Sequence, residues 1–220
     1  MVLKVPDLDV AHALLEDGRA RNPGVWADHS LVAAEAARAI ATRHPELDPD
    51  CAYVLALLHD IGRGEGGPGV ADVRHILDGH RLMLAQGFDD CARICLTHSF
   101  PLKHADAFAS RWDCPPAEKQ FVQDYLDQVD YTAYDRLVQL CDALALPSGP
   151  CVIEKRLVDV VLRHGFNDLT LAKWRAIFAL YDEFTAAVGA SIYTLLPGVT
   201  ETTFNSLTTL NTFSGLRGPS

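Results

Sequence analysis

The stretch Ala56-Leu57-Leu58-His59-Asp60-Ile61-Gly62 decides how this chain is read. An apolar helical run ends in two adjacent metal-capable side chains and then meets a glycine-rich break. The surrounding residues are oily enough to be core, where a charge is costly without a partner. A divalent cation is one such partner, because imidazole nitrogen and carboxylate oxygen are ordinary metal ligands. Taken alone, the pair also fits a histidine at a helix end beside a solvated aspartate.

The chain has 220 residues, enough for one substantial domain or a domain with a small appendage. Its 49% apolar and 22% charged residues are ordinary for a soluble globular protein. A formal net charge of -10 speaks against a nucleic-acid groove, which needs clustered Lys and Arg. A small anionic substrate stays compatible, because a bound metal can dominate the local field. The N-terminal run Met1-Val2-Leu3-Lys4-Val5-Pro6-Asp7 has neither an apolar signal core nor a cleavage site. No stretch approaches the roughly 20 apolar residues of a membrane span. Cys51, Cys91, Cys95, Cys114, Cys141 and Cys151 contain no C-x-x-C pair, and most fall inside apolar helical patterns, as buried reduced thiols do. The expectation is a cytoplasmic protein without disulfides. No membrane or nucleic-acid partner is expected, and the oligomeric state is open, a dimer included.

The pattern is helical nearly throughout. Val10 to Asp17 reads as a short helix closed by Gly18. Asp28 or Ser30 caps a second, through Arg43, and His44-Pro45 stops it. Asp48-Pro49-Asp50 opens a third through Leu58, with proline in the first turn. Gly62, Gly64, Gly66, Gly67, Pro68 and Gly69 read as a mobile loop. Asp72 caps a helix to about Gln86, and Asp89 to Thr97 form another. Ala117 to Gln128 and Thr132 to Leu146 follow, then a turn at Pro147-Ser148-Gly149-Pro150. Val152 to Arg163 and Leu169 to Val188 are the last strong helices. There is no convincing alternating strand and no repeat. The expected fold class is all-α, one helical domain over 1–196 with a signature core at 25–146 and C-terminal helices at 151–189. A flexible or irregular tail is expected at 197–220.

Helical folds build metal sites by aiming His and Asp inward from several helices. The candidates fall in order: His29 at the start of the second helix, His59-Asp60 at the end of the third, His75 and His80 after the glycine run, and His98 at the end of the next. Asp142 then interrupts the apolar run Leu137-Val138-Gln139-Leu140-Cys141-Asp142-Ala143-Leu144, where an unpaired buried carboxylate would be expensive.

His29, then His59-Asp60, then Asp142 resembles the H…HD…D signature of the HD-domain metal-dependent phosphohydrolases, and Leu57 to Gly62 resembles the HDIG form of that signature. The resemblance covers residues 25–146 and implies an HD-domain helical bundle. Two-metal members of the family add two histidines between the HD pair and the final aspartate. His75-Ile76-Leu77-Asp78-Gly79 looks like their H-x-x-x-G element, and His98 falls at the second position. His80 competes with His75. At 100° per residue, Val73, Ile76, Leu77, His80 and Leu84 share one face, and His75 shares another with Gly79 and Leu82. Periodicity places His80 in the thickest apolar stripe, whereas the resemblance favours His75.

What the resemblance implies is a site for two divalent ions, with Fe, Mn, Zn, Mg and Ni all open as the metal. His29, His59, Asp60 and Asp142 would hold one, and Asp60, His75 and His98 the other, with Asp60 as bridge and catalytic residue. Water activated there would attack a small phosphate ester or anhydride, nucleotide-like in character. Arg63 and Lys103 are the nearest cations for orienting the substrate phosphate. The GYP element of the cyclic-di-GMP enzymes is missing. Two rival readings remain: some HD-fold proteins with this ligand set hold a mixed-valence di-iron centre and oxidise organophosphonates, and a nucleotide-sensing module would keep the fold without turnover.

Overall fold

The structure is a computed structural model and describes residues 3–66, 73–108, 110 and 112–205. Among the described residues ten α-helices carry the fold: α1 (Leu8–Arg21), α2 (Trp26–Ala41), α3 (Pro49–Leu57), α4 (Arg74–Ala85), α5 (Asp89–Thr97), α6 (Pro116–Gln128), α7 (Ala133–Asp142), α8 (Ile153–His164), α9 (Thr170–Val188) and α10 (Val199–Phe204). A two-residue antiparallel ribbon, β1 (Ala145–Leu146) with β2 (Gly149–Pro150), is the one sheet among the described residues. The all-α expectation therefore holds, and the Pro147–Pro150 turn closes this small hairpin. No helix among the described residues is long and apolar enough to cross a membrane.

The third helix starts and ends where its chemistry dictates. Asp48 accepts a hydrogen bond from the Cys51 amide at 2.8 Å, satisfying one orphan N–H, and Pro49 takes the position where a missing N–H costs nothing. Every residue from Ala52 to Leu57 is buried, so α3 is a core helix oily on all sides, packed on α2. Each fully buried Leu in it contributes roughly 1.5–3 kcal/mol. The helix delivers His59 and Asp60 to the interior immediately after its end.

Two cores share α4 and α5 as a wall. The larger joins α1, α2, α3, α5, α7 and α9, with Leu15, Ile40, Leu55, Leu57 and Phe184 among its largest members. The smaller packs Ile76 and Leu77 of α4 against Leu96, Phe100, Val122 and Leu126. Behind the wall, Asp135 is fully buried and its carboxylate accepts from Thr97 Oγ1 at 2.8 Å, while Gln139 donates to the Thr97 carbonyl at 3.0 Å. These bonds fix the end of α5 against α7, and Thr132 with Asp135 forms a capping box that starts α7.

Several local expectations are corrected by tertiary packing. Gly18 does not end the first helix but lies inside α1, which starts two residues earlier and ends four residues later than expected, from an Asp7 cap. It is kept small by the chain opposite: a Cβ on Gly64 would sit 2.6 Å from Gly18 Cα. Neither Asp28 nor Ser30 caps α2, since both lie within it and Val25 occupies the cap position. The glycine run is not a loop at its start, because Ile61–Glu65 form a 3-10 turn with Ile61, Gly62 and Gly64 buried. Gly67, Pro68, Gly69 and Asp72 fall outside the described residues. The seventh helix ends at Asp142 rather than Leu146, because the chain turns there into β1. Past residue 197, where an irregular tail is expected, α10 docks on the start of α8: Lys155 Nζ donates to the carbonyls of Thr202 and Thr203, both at 2.8 Å, and Thr203 Oγ1 accepts from the Val152 amide. Residues 206–220 lie outside the described part.

Gly62 is the tightest point of the fold. A Cβ there would lie 2.0 Å from the His75 carbonyl oxygen and 2.3 Å from the Gly79 nitrogen, both backbone atoms that cannot swing away. Gly79 is constrained in return, between Cys95 Sγ and the Gly62 nitrogen. Only two glycines let the turn after Asp60 lie flush on the first turns of α4. Gly62→Ala is therefore expected to lower unfolding stability by about 3 kcal/mol or more, at or beyond the upper end of ordinary overpacking costs. Urea denaturation measures this, and a loss under 1 kcal/mol would show that the contact is not constraining.

Candidate metal centre

Six polar side chains meet where helix ends converge. His29 lies in the first turn of α2 and His75 in the first turn of α4, while His59-Asp60 follow α3, His98 caps α5 and Asp142 is the last residue of α7. All but Asp142 are buried, and the Asp142 side chain is 26% exposed. The C-terminal ends of α3, α5 and α7 thus point their partial negative charge at one place, together with two carboxylates. Such a place favours positive charge.

The distances are those of ligands facing a common centre. His29 Nε2 lies 3.1 Å from Asp142 Oδ1, and His75 Nε2 lies 2.9 Å from Asp60 Oδ1. His98 Nε2 is 3.6 Å from the same Asp60 oxygen, and His59 Nε2 is 3.9 Å from Asp60 Oδ2. The rings of His59 stand edge-on to those of His29 and His98, at 5.3 and 4.9 Å between centroids, and His75 to His98 is 5.6 Å. Two groups have ligand atoms all within 4.8 Å of one another: His29, His59 and Asp142, and His59, Asp60 and His98. His59 is common to both groups, and Asp60, the bridge that the resemblance implies, belongs to the second. Arg63 Nε donates to Asp60 Oδ2 at 2.7 Å, and Asp60 Oδ1 faces His75 and His98.

The histidines are oriented from behind. Nδ1 of His59 is 2.6 Å from the Ala56 carbonyl, that of His98 is 3.0 Å from the Cys95 carbonyl, and that of His29 is 3.1 Å from the Ala145 carbonyl of β1. A carbonyl accepts only from a protonated Nδ1, so each ring presents an unprotonated Nε2 forward when neutral. His59 Nε2 is buried and makes no hydrogen bond. An orphan nitrogen in a cluster with two carboxylates is what a divalent cation fits, and imidazole with carboxylate suits Fe, Mn, Zn and related ions.

Protonation is set in the same sense. Burial, helped by the neighbouring His59, pushes His98 down to about 3. Burial likewise lowers His29, although its bond with Asp142 works against this. For Asp60 burial acts upward, but the Arg63 guanidinium and the imidazoles of His75 and His59 outweigh it and hold the carboxyl well below the usual range. Asp142 is held well below it too: burial is overcome by its contact with the His29 imidazole and by the charge of Arg156. Neutral imidazole beside ionised carboxylate is the state in which these groups bind metal.

His75 and His80 part company along α4. The His75 ring is in the cluster. His80 turns the other way, with Nδ1 3.0 Å from the Ala92 carbonyl and its ring against Phe121 and Tyr125 of α6. It is a core histidine whose polar atom is satisfied, as its place in the apolar stripe suggests; Leu84 of that stripe is 45% exposed. Lys103 is engaged elsewhere: its ammonium donates to the Val129 carbonyl at the end of α6 and lies over the Tyr131 ring. Its backbone adopts a left-handed conformation, φ 51°, unusual for lysine. Sequence reasoning missed Arg156, whose Nη2 donates to Asp142 Oδ1 at 3.2 Å. It sits on α8, and nothing in the local pattern marks it.

Residues 26–146 match the family model of the HD domain, more than half of the chain. The chain belongs to the HD domain family. No curated protein and no solved structure matches it. The six residues of the cluster all lie inside the matched segment, and HD-domain proteins are in general metal-dependent phosphohydrolases. The His/Asp groups of this HD domain can hold a metal.

Arg156 supports Asp142 and Asp159 at once, through bonds of 3.2 Å to each. Arg156→Ala is expected to destabilise the metal-free protein by roughly 2–3 kcal/mol, below the full cost of breaking a buried pair because Asp142 is partly solvated. Urea unfolding in the presence of a chelator measures it. An unchanged midpoint would mean that the guanidinium carries no structural role.

Proposed function

We propose that this HD domain is a phosphohydrolase with two divalent ions, acting on a small phosphate ester or anhydride of nucleotide-like character. The observation that carries the reading is the clustering of two ligand groups, each within 4.8 Å, with His75 2.9 Å from Asp60. In this reading His29, His59 and Asp142 would hold one ion, and Asp60, His75 and His98 would hold the other. When bound, such ions withdraw charge from phosphoryl oxygens and let water ionise near neutral pH. The chain's own residues supply the rest. The backbone carbonyls of Ala56, Cys95 and Ala145 keep three imidazoles in the binding tautomer. Arg63 keeps Asp60 ionised and adds positive charge beside the place where a phosphate would sit. A cavity of about 260 Å³ borders the cluster at His75, lined by Trp26, Arg63, Arg74 and Asp78 among others, and offers room for a small ligand.

The test is hydrolysis by metal-reconstituted protein of nucleotides, dinucleoside polyphosphates and simple phosphate esters. Asp60→Ala is expected to lower kcat at least 100-fold on any substrate found, beyond the roughly 10–100-fold typical of losing an outer ligand partner. Unchanged hydrolysis would overturn the mechanism, and an iron spectrum with dioxygen-dependent turnover would replace it with oxygenase chemistry. Metal counting separates the two α4 histidines: His75→Ala is expected to lose one ion per chain, and His80→Ala none. The reverse result would exchange their roles.

A further inference from the structure

Two basic side chains beyond the HD-matched segment reach the same centre. Arg156 of α8 holds Asp142 through its side chain at 3.2 Å and its carbonyl at 3.3 Å. Lys173, in the first turn of α9, is partly buried, and its ammonium lies 6.0 Å from the centroid of the Phe108 ring. That ring in turn lies 6.2 Å from the ring of His75. Lys173 is also close enough to Asp142 and Arg156 to feel both charges. Asn167, in the corner between α8 and α9, donates Nδ2 to the carbonyls of Asp106 and Phe108 at 3.0 and 3.1 Å. The corner is thereby fastened to the segment that carries Phe108. Through the Phe108 ring, Lys173 neighbours the His75 end of the cluster.

Among the described residues, Lys173 Nζ makes no hydrogen bond and no ion pair. Lys173 is half-buried, and a partly desolvated ammonium beside a guanidinium gains from an anionic partner. Burial pushes it down to about 8, against the pull of Asp142, so it stays mostly charged at neutral pH. Arg156 beside it is like-charged, which adds to the cost of placing a lysine there. An anion would relieve both. In a chain of net charge -10, an anionic ligand also needs local cations to enter a site lined by two carboxylates. The plain structural alternative is a lysine stem lying along Phe108 with its ammonium reaching water.

We propose that Lys173, with Arg156 beside it, forms an anion-binding edge that holds phosphate oxygens of the ligand against the metal centre. The edge comes from α8 and α9, so the helices outside the family segment help select the phosphorylated ligand. Lys173 acts as a point charge on the phosphate, while Arg156, already committed to Asp142 and Asp159, adds field. This assignment rests on the phosphohydrolase reading, and its test separates the two.

Calorimetric titration of inorganic phosphate into metal-loaded protein gives the direct readout, with metal content and melting temperature measured on each variant. Lys173→Gln is expected to weaken phosphate binding about tenfold at unchanged metal content, the loss of one charge-assisted hydrogen bond. Lys173→Arg is expected to restore most of it. On any ester the protein hydrolyses, Lys173→Gln raises KM more than it lowers kcat. Equal phosphate affinity in wild type and Lys173→Gln overturns the proposal, as does wild-type protein that binds no phosphate or weakening that follows metal loss. Lys173-dependent phosphate binding in a protein that hydrolyses no ester supports the anion edge and counts against the phosphohydrolase reading instead.

Discussion

Two carboxylates placed at the converging C-terminal ends of helices demand positive charge, and the architecture around them answers that demand. Asp60 follows α3 and Asp142 ends α7, and both are held ionised despite burial. Protein cations meet part of the need: Arg63 at Asp60 and Arg156 at Asp142. Burial drives His29 and His98 toward the neutral form, so these two add no fixed charge of their own. What remains is a negative, donor-rich pocket with an orphan imidazole nitrogen at its middle, chemistry that a divalent cation completes.

Backbone proximity is what makes the pocket possible. His75 reaches Asp60 because the 3-10 turn after the HD pair lies directly on α4, with Gly62 against the His75 carbonyl and Gly79. The glycine of the HDIG run and the glycine of the H-x-x-x-G element are thus two sides of one contact. On the far side, the buried Asp135–Thr97–Gln139 bonds hold the end of α5, and with it His98, against α7, which ends in Asp142. Rigid helices supported by such bonds keep ligand positions fixed better than loops would.

The parts of this arrangement that local chemistry controls were readable in the sequence. Asp48-Pro49 announces α3 through capping, and the Asp89–Thr97 helix has the bounds its pattern implies. The order of His29, His59-Asp60, His98 and Asp142 pointed to a shared centre through its resemblance to the H…HD…D signature, although Asp142 read as lying inside a helix that the structure ends there. The misreadings share one cause. Gly18 and Gly64 look like chain breakers until they are seen packed on each other, and the segment after Leu196 looks irregular until α10 is seen docked on α8. Arg156 and Lys173 were invisible for the same reason: their meaning lies in contacts made across long stretches of chain.

The central claim, that this layer of helix ends is a metal centre, is most directly tested by anomalous diffraction from crystals of the protein grown with manganese. Anomalous density in contact with His59 Nε2, flanked by His29 and Asp142 on one side and by Asp60 and His98 on the other, is the expected result. Well-ordered histidines with no density among them, and manganese found only at surface carboxylates, would contradict it.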